Sequence, residues 1–111
     1  MTVQDLINKN LFQLKNAGDD LDREITVPFC CDLLSVAMGQ APSGCAWVTV
    51  MSNINTLAVA SLCDAACIIL AEDTQVDDLL LSKAAQQGIT VFATEMPIFD
   101  AALHVYKEIH S

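Results

Sequence analysis

The chain has 111 residues, which is enough for one domain around a single core. Just over half of them are hydrophobic and only 5% aromatic, so that core is built from Leu, Ile, Val and Ala. Fourteen acidic against five basic side chains give a formal net charge of −9, which argues against nucleic acid and anionic membrane surfaces, since both are bound by Lys and Arg.

Positive mean hydropathy in so short a chain predicts apolar surface that a partner covers. Cys30, Cys31, Cys45, Cys63 and Cys67 are odd in number. None of them shows C-x-x-C spacing, so free structural thiols in a reducing cytosol are expected. The N-terminal MTVQDLINKNL lacks the charged and apolar regions of a signal peptide, and no apolar run reaches membrane-spanning length. A soluble, cytoplasmic protein is expected.

Thr2 and Asp5 form a capping-box pair that predicts a helix over about residues 3–9. Phe12 and Leu14 alternate with Gln13 and Lys15 in a half-buried strand that ends at the turn Asn16-Ala17-Gly18-Asp19-Asp20. Ile25, Val27 and Phe29 alternate on a second strand, where Pro28 predicts an edge or a bulge. Asp32 is placed to cap a short helix over Leu33–Met38, stopped by Gly39.

From Ala41 onward, strand–helix units repeat. Ala46–Met51 reads as a strand, and Ser52-Asn53-Ile54-Asn55 opens a helix to about Ala65 that is apolar almost all round. The run Cys67-Ile68-Ile69-Leu70 is that of a central parallel strand. Asp73-Thr74 begins another helix, with Val76, Leu79, Leu80 and Ala84 on one face and Gln86-Gln87-Gly88 at its end. Ile89–Ala93 is the next strand. Pro97 takes the N1 position of a last helix, whose stripe is Ile98, Ala102, Val105 and Ile109. This alternation predicts a single three-layer α/β domain over residues 1–111, with a mainly parallel sheet flanked by helices.

In such a sheet, ligands bind beyond the carboxyl ends of the strands. Three loops qualify: Ser52–Asn55, Ala71–Thr74 and Thr94–Pro97. Each leads into a helix N-terminus that can hold an anion. Ser52, Asn53, Asn55 and Thr94 are the candidate ligand contacts, and the same residue types also cap helices. Glu72 and Glu95 make their loops acidic. Asp73, Asp77 and Asp78 read as a negative cluster in a first helical turn, and no metal or cofactor is expected. His104 and His110 fall on the last helix. No Ser or Cys has an identifiable base and no phosphate loop is present, so no enzyme is expected.

The stretch LDREITVPFCCDLLSVAMG, Leu21–Gly39, resembles the signature of the DRTGG domain. Asp22 and Arg23 match the first two motif residues. Thr26 matches the third if Glu24-Ile25 is an insertion, and Val27 and Pro28 stand in place of the two glycines. Cys31-Asp32-Leu33-Leu34-Ser35 and Met38-Gly39 resemble the family's downstream pattern. Such domains occur alone and as regulatory inserts in phosphotransacetylases and CBS-domain pyrophosphatases. The resemblance covers essentially the whole chain and implies the α/β fold of the HPr kinase N-terminal domain. It also implies a non-catalytic module that senses an adenine nucleotide or other small anion, with Arg23 and Thr26 as contacts.

Arg23, the only arginine, can fork onto phosphate, or it can pin its turn by pairing with Asp20, Asp22 or Asp32. Val27 and Pro28 remove the backbone nest that a glycine pair offers an anion. The alternative expectation is therefore an assembly protein that docks on a larger enzyme without a small ligand. A homodimer is expected on either reading, because only Asp32 and Asp64 carry charge between Val27 and Ala71.

Overall fold

The computed structural model describes residues Met1–Ser111. In chain order its elements are α1 (Val3–Lys9), β1 (Gln13–Asn16), β2 (Pro28–Cys30), α2 (Leu34–Gln40), β3 (Ala46–Thr49), α3 (Ile54–Leu62), β4 (Cys67–Leu70), α4 (Asp78–Gln87), β5 (Val91–Ala93) and α5 (Ile98–Ile109). The strands form one sheet in the order β1-β5-β4-β3-β2. β2 to β5 run parallel, and β1 joins the β5 edge antiparallel.

Strand alternation splits the core in two. On one face Ala46, Val48, Cys67, Ile69 and Phe92 meet Val3 and Leu6 of α1 and Ala101 and Val105 of α5. On the other Trp47, Ile68, Leu70 and Val91 meet Ala37 of α2, Leu57, Val59 and Ala60 of α3, and Leu80 and Ala84 of α4. The mainly parallel α/β sandwich expected from the alternating pattern is thus present. No helix is long and apolar enough to cross a membrane.

Local signals account for several boundaries. The capping box forms as expected: the Asp5 amide donates to Thr2 Oγ1 at 3.1 Å and the Thr2 amide to Asp5 Oδ2 at 2.9 Å. β4 occupies the residues expected of a central strand, all of them buried. Pro28 opens the edge strand β2, where an imide is tolerated.

Other boundaries differ. Asp32 does not cap α2, whose N-cap is Leu33. Its carboxylate instead accepts from Thr49 Oγ1 at 2.7 Å and from the Val50 amide at 2.9 Å, tying the end of β2 to the end of β3. Gly39 lies inside the last turn of α2 and does not stop it. α4 begins at Asp78 and not at Asp73-Thr74, because Glu72 and Asp73 both turn left-handed (φ 61° and 56°) and break the helical path. Asp77 then caps α4 by accepting from the Leu80 amide at 2.8 Å. Pro97 sits at the N-cap of α5, one residue earlier than expected. The α3 helix is buried on one side only: Thr56, Leu57, Val59 and Ala60 face inward, while Ile54, Ala58 and Leu62 point to solvent.

The long β1–β2 connection is clasped to the amino end of the sheet. Asn16 Nδ2 donates to the Ile89 carbonyl at 2.8 Å, the Gly18 amide to Thr90 Oγ1 at 2.9 Å and the Asp19 amide to the Gly88 carbonyl at 3.1 Å. A Cβ on Gly18 would overlap the Gly88 carbonyl and lie 2.8 Å from the Thr90 nitrogen. Both neighbours are backbone and cannot swing aside. Gly18→Ala should therefore destabilise the fold by about 1–3 kcal/mol in urea or thermal melts. Gly39→Ala should do the opposite, by about 0.5–1 kcal/mol, since that helical position is open around the missing methyl.

Candidate functional site

The parallel sheet has two ends, and the six residues singled out in the sequence fall at both. Arg23 and Thr26 precede β2 and so lie at the amino end. Ser52, Asn53 and Asn55 follow β3, and Thr94 follows β5, so these four lie at the carboxyl end. No single site gathers all six.

At the amino end the Arg23 guanidinium is already engaged. It forks onto Asp64, with Nη1 donating to Oδ1 at 2.8 Å and Nη2 to Oδ2 at 2.7 Å, and Nη2 also reaches Ser43 Oγ at 3.2 Å. Ser43 Oγ in turn donates to Asp64 Oδ2 at 2.6 Å. The partner is thus the α3–β4 corner and none of Asp20, Asp22 or Asp32. Asp64 has φ 60°, which an Asp tolerates better than most residues. Thr26 is used locally, its hydroxyl donating to the Ser43 carbonyl at 3.0 Å and its amide to the Gly44 carbonyl at 2.9 Å. A crevice of about 250 Å³ lies beside Arg23. The cation in it is neutralised by a bidentate carboxylate.

At the carboxyl end most of the polar groups also serve the fold. Asn53 Oδ1 caps α3, accepting from the Asn55 and Thr56 amides at 2.9 and 3.2 Å. Ser52 Oγ donates to the Gln75 carbonyl at 2.6 Å and holds the β3–α3 loop against the β4–α4 loop. Asn55 is exposed on the first turn of α3. Thr94 Oγ1 accepts from the Met96 amide at 3.2 Å. Glu72, which sequence reasoning treated only as acidity, caps α5: Oε2 accepts from the Ile98 amide at 3.4 Å. The helix starts that were expected to hold an anion are thus capped from within at α3, α4 and α5.

An unclaimed space remains between the β4–α4 and β5–α5 loops. These loops leave for opposite faces of the sheet, and a cavity of about 550 Å³ opens where they part. This is the position at which α/β sheets bind ligands. Gln13 and Lys15 of β1, residues 73–76, and Ala93, Thr94, Glu95 and Met96 line it. Of the four carboxyl-end candidates, only Thr94 reaches it. Lys15, Gln13 and Gln75 were missed. Alternation placed Gln13 and Lys15 on one strand face, but nothing local shows that β1 packs antiparallel against β5.

The two buried thiols offer little nucleophilicity. Burial pushes Cys45 up to about 11 and Cys67 higher still, so both stay protonated at neutral pH. No family model matches the chain, and no curated protein matches it.

The Arg23–Asp64 fork has a pH signature. The Arg23 hydrogen bond, then that of Ser43, holds the Asp64 carboxyl below the usual carboxylate range. A depressed folded value means the pair contributes stability above the unfolded pKa of about 3.9, and that contribution is lost as pH falls from there toward the folded value. The Asp64 side chain is largely exposed, so the contribution is about 0–1 kcal/mol. Asp64→Asn should be less stable than wild type by that amount at pH 7, and the gap should close as a series of melts is carried into acid.

Proposed function

We propose that this chain is a non-catalytic regulatory module that works as a homodimer, assembled through the outer face of α2 and α3. One observation carries the dimer. From Leu33 to Cys63 no residue is charged in a chain of net charge −9, and this stretch exposes Leu33, Val36, Met38, Ile54 and Leu62, the last at 73%. The two helices adjoin, with the Cys63 thiol donating toward the Ala37 and Met38 carbonyls at 3.5 and 3.6 Å. All fourteen acidic side chains except Asp32 and Asp64 lie before Val27 or after Ala71, and they give copies brought together elsewhere a like-charge cost. On this face the copies bury apolar side chains without like-charge repulsion, and a closed twofold pair is the commonest way to do so.

The regulatory part of the reading rests on the resemblance of Leu21–Gly39 to DRTGG domains, and so does the assignment of the sandwich to the HPr kinase N-terminal type. A cytoplasmic location accords with the free thiols. A larger enzyme that carries the dimer, as enzymes carry DRTGG inserts, is the partner this reading implies.

A second reading, ligand sensing, has its support in the cavity between the β4–α4 and β5–α5 loops. An adenine nucleotide or other small anion would have to be held there by Lys15, since Arg23 is committed to Asp64. Thermal-shift measurements with AMP, ADP and ATP test it, because a ligand at about 100 times its dissociation constant stabilises by about 2.7 kcal/mol.

For the dimer, light scattering at about tens of micromolar should give twice the 12.0 kDa chain mass. Leu62→Glu should weaken the dimer by roughly tenfold or more, with an unchanged circular dichroism spectrum because the side chain lies outside the core. A wild type of monomer mass would end the proposal.

A further inference from the structure

The cavity at the parting of the β4–α4 and β5–α5 loops combines groups of both signs, and we infer that it takes a small zwitterion, an amino acid or short peptide, with the ligand carboxylate on Lys15 and its ammonium on Asp73 and Glu95. This deepens the ligand-sensing reading and rests on it.

The lining supports this class residue by residue. Lys15 has no ion-pair partner in the protein, whereas Lys9 is held by Glu108 at 2.8 Å and Arg23 by Asp64. Lys15 is half-buried on β1 and is the one cationic residue lining the space. Gln75 and Val76 also line the cavity, and their amides have no acceptor within the protein. Asp73 and Glu95 stand on the two facing loops as acceptors for an ammonium. Asp73 is held there by a left-handed backbone (φ 56°) and by its amide, which donates to the Thr94 carbonyl at 3.0 Å. The two loops are therefore bound together beside the cavity, which preorganises its lining. Val76, Ala93 and Met96 supply apolar wall for a side chain. A volume of about 550 Å³ suits a ligand from amino-acid to dipeptide size.

Charge selects among ligands. A nucleotide brings two or more negative charges into the field of a chain at −9, and at this site one lysine would have to offset both that field and the two adjacent carboxylates. A zwitterion brings no net charge and satisfies both signs at once. Every charged group lining the site then has a partner.

The test is a binding panel on the full chain, by thermal shift and then calorimetry. It takes the proteinogenic amino acids and glycyl dipeptides in one arm, and AMP, ADP and inorganic phosphate in the other. The expected result is stabilisation by at least one zwitterion, with roughly tenfold or greater weakening in both Lys15→Met and Asp73→Asn, each of which removes one charge-assisted contact. Asn tolerates the left-handed backbone at position 73, and Met keeps the apolar stem at position 15, so both variants should melt near wild type. The deaminated and the decarboxylated analogues of the best binder should each lose comparable affinity. If nucleotides or phosphate bind and zwitterions do not, the ligand class is overturned while ligand sensing stands. If neither arm binds, both fail.

Discussion

Cys67, Ile68, Ile69 and Leu70 are all shut off from water, although their side chains point alternately to opposite faces of the sheet. A strand in that position needs a cover on each side, and the chain supplies the two covers unequally. The three crossovers between parallel neighbours put α2, α3 and α4 on one face, as the fixed hand of such connections requires. The other face is closed by helices from the two ends of the sequence, α1 and α5, which Lys9 and Glu108 join at their margin. Trp47, the largest buried side chain, completes the first layer, and its indole nitrogen donates to the Cys31 carbonyl at 3.0 Å, so even this bulk leaves no polar atom unsatisfied.

The unequal cover also decides which end of the sheet is open. At the amino end the β1–β2 connection folds back over the strand starts, through Gly18 and Asp19 against residues 88–90 and through Arg23 against Asp64. Its polar groups are consumed in holding that fold. At the carboxyl end β5 must send the chain to the face opposite α4, and two loops part because their helices lie on opposite sides. The opening is a by-product of covering β4 twice, and Lys15 stands in it because the antiparallel β1 brings its own side chains alongside.

What the residues disclosed locally and what they withheld follow one division. Continuous apolar runs such as Cys67–Leu70, and the pairing of Thr2 with Asp5, contain all the information that fixes them, and the expected elements stand there. The start of α4 was misplaced because Asp73, Thr74 and Asp77 are all good caps by type. The choice among them falls to Glu72 and Asp73, whose amides donate to carbonyls of the β5–α5 loop more than twenty residues away. Arg23 was given the wrong partners, since Asp64 is 41 positions along the chain and only the packing of α3 delivers it. The helix over residues 54–62 looked buried all round because Ile54, Ala58 and Leu62 are as apolar as its inner residues. Composition does not distinguish the inner face of such a helix from its outer one.

Pro28 has one further effect. The Val27 carbonyl accepts from the Ala46 amide, so the trans imide that follows turns the Pro28 nitrogen outward, toward the open side of β2. An incoming strand would find a ring where it needs a donor, on an edge only three residues long. Edge-to-edge polymerisation into fibrils is therefore obstructed at β2, in a molecule whose apolar composition would otherwise invite it. Any association of copies is left to side chains on the helices, where contact can be finite and reversible.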